Sequence, residues 1–123
     1  MAETERRQRG DRAEEVAVRY LQERGYRVVA RNFHCAYGEL DVVAEKDDLL
    51  CVVEVRMRTS AAWGDPAQTV MSSKQRRIVK ATLHYLARRR MQDVAVRFDV
   101  ISVLGRGDGA AVEHIPGAFD AGF

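Results

Sequence analysis

Two apolar segments held apart by three polar residues constrain this chain most: Glu39–Glu45 and Leu49–Arg58 flank Lys46-Asp47-Asp48. Both are rich in Val and Leu and partly alternate, so they read as the strands of a hairpin. A turn centred on Asp47-Asp48 sets the pairing, with Lys46 opposite Leu49, Val43 opposite Val52 and Asp41 opposite Glu54. Asp-Asp is not a preferred hairpin turn, and a shift of one residue is the alternative register. Opposed β-carbons in a hairpin are about 4.5–5.5 Å apart, where like charges repel. Arg56 shares the side of Glu54, while Leu49, Cys51, Val53, Val55 and Met57 form the other face, read as core. Two acids and a cation therefore converge on a largely buried hairpin.

The rest of the chain supplies a sheet and helices around it. A helical pattern opens at Gly10-Asp11 and runs to about Arg24, with Ala13, Ala17, Tyr20 and Leu21 on one face and Gly25 as its stop. Arg27–Phe33 reads as a strand before the hairpin and Thr59–Pro66 as a loop after it. A long helix over roughly Ala67–Met91, a strand at Val94–Leu104 and a short strand near Val112–Ile115 follow. The order α-β-β-β-α-β-β predicts an α/β fold, a mixed central sheet with helices on its faces. At 123 residues the chain fits one domain with one core, and no repeat or Pro/Ser linker divides it. The expected core spans about residues 10–104, followed by a short C-terminal extension.

Composition excludes several classes. With 46% hydrophobic and 31% charged residues the chain is neither disordered nor membrane-embedded. The N-terminus has no apolar stretch of the kind a secretory signal needs. Cys35 and Cys51 form neither a CxxC pair nor a disulfide framework, so reduced cysteines and a cytoplasmic location are expected. No zinc site and no small-molecule cofactor are expected.

A third acid joins the hairpin pair. On the first helix Glu14 lies between Val18 and Leu21, at the edge of the apolar face, whereas Glu15 points to solvent. A carboxylate there needs a partner. Three converging carboxylates suit a hard divalent ion, since magnesium takes one or two carboxylates together with waters and substrate phosphate. The plain alternative is structural: Arg56 or Arg58 pairs with Glu54, and Asp41 caps a loop.

Net charge is only +2, but its distribution is uneven. No acid occurs from Pro66 to Gln92, where Lys74, Arg76, Arg77, Lys80, Arg88, Arg89 and Arg90 all fall. On the long helix Met71, Ile78, Ala81, Thr82, Tyr85 and Leu86 share a core face. Arg77, Lys80, His84 and Arg88 follow one another on the opposite side, and Lys74 sits between the two. Such a stripe suits a phosphate backbone, recognised by shape because no base-reading motif is present; a solvated helix face is the other reading. Trp63 in the loop is expected to pack.

These residues carry a family resemblance. Asp41 followed by Glu54-Val55-Arg56 resembles the PD-(D/E)xK signature of restriction-endonuclease-like nucleases, with Glu14 in the position of their first-helix glutamate. The ordered set Gly25-Tyr26, Arg31-Asn32, Gly38-Glu39-Leu40-Asp41, Val53-Glu54-Val55-Arg56-Met57-Arg58, Lys74-Gln75-Arg76-Arg77-Ile78 and Arg97-Phe98-Asp99-Val100 looks like the bacterial YraN family of predicted endonucleases, whose core is similar to archaeal Holliday-junction resolvases. The resemblance implies a restriction-endonuclease-like fold and a Mg2+-dependent site in which Mn2+ can substitute. Asp41, Glu54, the backbone carbonyl of Val55 and Glu14, directly or through water, would hold the ion. Arg56 stands where the family pattern has lysine. Arginine keeps the charge but effectively never gives up its proton, so Lys74 would have to supply a titrating cation. DNA is the implied partner, met by Lys74, Arg77, Lys80 and Arg88. Junction-cutting relatives often work as dimers, so a homodimer is allowed. Two other readings stay open: a DNA-binding module without cleavage, and a protein-interaction module whose acids form ordinary salt bridges.

Overall fold

A computed structural model describes residues 2–58, 70–105 and 110–121, with side chains from Arg12 onward. In chain order the elements are α1 (Ala2–Glu23), β1 (Arg27–Cys35), β2 (Gly38–Lys46), β3 (Leu49–Arg58), α2 (Ser72–Arg88), β4 (Ala95–Leu104) and β5 (Ala111–Phe119). The five strands form one sheet in the order β1-β2-β3-β4-β5. Only β3 and β4 run parallel, joined across the sheet by α2; the other neighbours are antiparallel. The expected element order and mixed α/β sheet are both present.

The helices cover opposite faces, which explains why the central strand is apolar on both sides. Ala13, Ala17, Val18 and Leu21 of α1 pack on Val42, Ala44, Cys51, Val53, Ile101 and Val103. Ile78, Ala81 and Tyr85 of α2 pack on Leu40, Val43, Leu50, Val52, Phe98 and Val100. The helix α1 ends as expected at Gly25, whose φ of 88° only glycine adopts readily, while the Tyr26 N–H returns to the Leu21 carbonyl at 3.0 Å. The β2–β3 turn keeps the expected register, Lys46 opposite Leu49 and Val43 opposite Val52, because Asp47 tolerates a left-handed φ of 55°.

Several expectations are corrected. Helical backbone begins at Ala2, before Gly10. Val70 and Met71 lie outside α2; Met71 is extended (φ −70°, ψ 153°), leaves the helical phase and is 72% exposed rather than core. The helix stops at Arg88, since Arg90 turns left-handed (φ 54°). Met57 is 38% exposed, beyond the cluster that α1 covers. The C-terminal extension is a full strand, β5, running through Pro116 and Gly117. Proline is tolerated because β5 is an edge, and the pairing shifts there, between Phe98 and Val100 of β4. The Thr59–Pro66 loop with Trp63, and Ala67 to Thr69, lie outside the described residues. No helix among the described residues is long and apolar enough to cross a membrane.

Candidate functional site

The β2–β3 ladder runs from Lys46↔Leu49 to Val42↔Val53 and stops there. One step further the same register sets Asp41 against Glu54. Across β2, between the pairs Arg31↔Val42 and Phe33↔Leu40, Asn32 of β1 takes a left-handed φ of 51°. With the regular ladder ended, the Val55 N–H donates to Asp41 Oδ2 at 2.9 Å. This fixes one carboxylate oxygen, and the Asp41 carboxyl lies within hydrogen-bonding reach of Glu54.

Glu54 lies on the α2 side of the sheet and is 7% exposed. The Lys74 ammonium, from the first turns of α2, sits on Glu54 Oε1. The separation of twenty residues between them is closed by the β3–α2 crossover, which brings the start of the helix over the end of the strand. Arg56 is half-buried on the same face of β3, and Glu14, half-buried on α1, is close enough for its charge to act on Asp41.

Electrostatics mark this as an unsettled place for two anions. Burial, aided by the charges of Glu54 and Glu14, pushes Asp41 up to about 7 despite the Val55 N–H that favours its anion. A carboxylate pair of this kind is relieved by a shared proton or by a cation. Among the described residues no group of three His, Cys, Asp or Glu side chains stands ready to hold a metal ion. The carboxylates that meet are Asp41 and Glu54, a number that satisfies magnesium, which fills its remaining positions with water and phosphate. The donor set therefore fits a hard divalent ion, and the ammonium on Glu54 shows that the pocket accepts a cation. Val55 enters the site through its N–H.

The basic stripe also forms. Arg77, Lys80 and Arg88 are exposed on α2, and His84 is half-buried between them. Lys74 joins the stripe to the carboxylates.

A second polar cluster escaped the sequence reading. Asp99 on β4 is fully buried and receives Arg97 through both oxygens, at 2.8 Å each, His114 Nε2 at 2.8 Å and the Gly117 N–H at 3.0 Å. Arg97 also donates to the Tyr26 hydroxyl at 2.8 Å, and the His114 ring lies edge-on to Tyr20 at 5.4 Å. Burial alone would raise Asp99, but Arg97, His114 and Gly117 hold it below the usual carboxylate range. These contacts tie β5, and Tyr26 at the entrance to β1, to β4. The available signal was Arg97 and Asp99 two apart on one face of an otherwise apolar strand; His114 offered none. Burial pushes the Cys51 thiol up to about 11, so it is a packing residue and not a nucleophile.

The family described as "Uncharacterised protein family UPF0102" matches residues 13–103, a span that includes Glu14, Asp41, Glu54, Arg56, Lys74, Arg97 and Asp99. A UPF0102 protein of Myxococcus xanthus is 60% identical over 98% of this chain and 96% of its own length. Those of Geobacter metallireducens and Syntrophotalea carbinolica are 44% and 46% identical, covering 93% and 87% of both chains.

Proposed function

The chain belongs to the uncharacterised protein family UPF0102, and we propose that it is a metal-dependent endonuclease hydrolysing phosphodiester bonds in structured, branched or single-stranded DNA. The observation that carries this reading is the buried pair Asp41 and Glu54 with Lys74 drawn onto it from α2. The element order and the placing of these residues support the restriction-endonuclease-like likeness.

Asp41 and Glu54 would hold Mg2+, or Mn2+ in its place, with the Val55 carbonyl and Glu14 completing the shell directly or through water. The bound ion would polarise the phosphodiester and lower the pKa of a water. Val55 keeps Asp41 oriented through its N–H. Lys74 neutralises Glu54 in the metal-free protein; with Glu54 engaged elsewhere, its ammonium is free to hold a phosphate oxygen or orient the attacking water. Arg56 stays charged throughout and serves as an electrostatic anchor. Lys74 therefore takes the role that the superfamily pattern gives to the residue at position 56. Arg56, standing where the superfamily pattern has lysine, favours as a second reading a DNA-binding module on the same fold without cleavage.

The test is cleavage of duplex, single-stranded, flapped and four-way-junction DNA with magnesium or manganese, against a chelator control. Metal-dependent cutting is expected. Lys74→Met is expected to lower it about 100-fold, the scale of a positioned proton-transfer group, while Arg56→Lys changes it less than about tenfold. Binding without cutting under every metal condition would leave the second reading in its place.

A further inference from the structure

The free end of the β1–β2 hairpin leans against the basic face of α2. Tyr37, in the turn, is 51% exposed, and its ring lies 6.0 Å from that of His84. His84 is in turn 6.3 Å from Phe33, and the Arg88 guanidinium lies over the Phe33 ring at 5.8 Å. The next residue, Gly38, is so close to the helix that a β-carbon there would meet Arg77 Cβ at 3.6 Å. Tyr37 thus stands beside Arg77, half exposed, with the His84 ring set edgewise against it. Exposed Arg77, Lys80 and Arg88 line the same side, separated by three and eight residues, about 4.5 and 12 Å along the helix axis. No acidic residue occurs on α2, and strand alternation puts the contact between His34 and Glu39 on the other side of the hairpin from Phe33. The surface begins at Lys74, which touches the carboxylate site.

A cationic track interleaved with an exposed aromatic ring is what an unpaired polynucleotide strand needs. Phosphates meet the cations, and a base offers its π face only when it is outside a duplex. A double helix would meet the cations alone. We infer that Tyr37, backed by His84, is a stacking platform for an unpaired DNA strand whose backbone follows Arg77, Lys80 and Arg88 towards Lys74. This rests on the nuclease reading and narrows its substrate: the strand that reaches Asp41 and Glu54 is single. Tyr37 is a specificity-determining residue, and it lies outside the metal-binding groups.

Fluorescence anisotropy with a labelled single-stranded oligonucleotide and with the corresponding duplex, in a chelating buffer, tests this apart from cleavage. The full chain is expected to bind the single strand more tightly. Tyr37→Ala should weaken single-strand binding about tenfold, the scale of one lost stack, and leave duplex binding unchanged. Tyr37→Trp should retain the preference. Arg77→Gln combined with Lys80→Gln should weaken both ligands and flatten the salt dependence. Equal loss of both ligands in Tyr37→Ala, no loss of either, or no single-strand binding by the wild type overturns the inference. Because the buffer holds no metal, an absence of cutting leaves these results untouched, and cutting combined with an inert Tyr37 sinks the platform while sparing the nuclease.

Discussion

Replacing Asp99 by Asn lowers the stability of the fold by about 3–5 kcal/mol, the scale on which removing one partner of a buried ion pair is felt. The carboxylate is fully buried and accepts four contacts: two from Arg97, one each from His114 and Gly117. An amide of the same shape turns its NH2 towards groups that are themselves donors, and the Arg97 guanidinium loses its counter-charge. Domains of this size are stable by only about 5–15 kcal/mol, so the melting temperature should fall by roughly 10 °C or more. The pH dependence follows from the direction of the shift. Asp99 is held below its ordinary value of 3.8, so its contribution is complete above that value and is lost as the pH falls through the lower, folded-state value. The gap between wild type and variant, followed by urea unfolding, should hold steady from pH 8 to pH 5 and close only in acid. Changing the pair together, Asp99→Leu with Arg97→Met, should recover much of the loss, since no charge is then stranded.

The second large effect has opposite signs on activity and on stability. Asp41→Asn and Glu54→Gln should each reduce metal-dependent cleavage at least about 100-fold, since even groups that only support metal ligands cost up to that much. Asp41→Asn should also make the metal-free protein more stable at pH 8, by about 1–3 kcal/mol. Asp41 is pushed up to about 7, so between the ordinary carboxylate value and 7 the folded state binds the extra proton. Wild-type stability therefore declines as the pH rises through that window, and the Asn variant, which cannot ionise there, escapes the decline. Its advantage should grow from about pH 4 to pH 7 and then level off. The same proton competes with the ion, and the magnesium needed for half-maximal cleavage should rise about tenfold per pH unit below 7. A variant that loses activity without gaining stability at pH 8 would mean that the Asp41 carboxyl ionises in the ordinary carboxylate range.

The legible parts of the site lay on regular elements close in sequence. Asp41 and Glu54 follow from one turn and the twofold period of strands, so placing Asp47-Asp48 correctly placed both acids. Lys74 reads from sequence as part of the basic run and, through the missing lysine at position 56, as a substitute cation; its contact with Glu54 depends on where the β3–α2 crossover lands, which no local pattern encodes. Periodicity located the core face of α2 but carried it one turn too far, to Met71, because nothing in the sequence marks where the backbone becomes extended. The Asp99 cluster depends on His114 and Gly117 of a strand whose Pro116-Gly117 reads locally as a turn. Tyr37 sits in a turn, where neither strand nor helix period assigns a direction.

Both rims of the sheet are broken by backbone irregularities. At β1 the pairing shifts between Val28 and Ala30, and Asn32 is left-handed. At β5 the proline lacks an N–H and Gly117 is left-handed (φ 61°). An incoming strand needs a straight row of unsatisfied amides and carbonyls, and neither rim presents one. Copies of this chain are therefore discouraged from joining edge to edge into a continuous sheet, and at the last strand that protection comes from the Pro116-Gly117 irregularity.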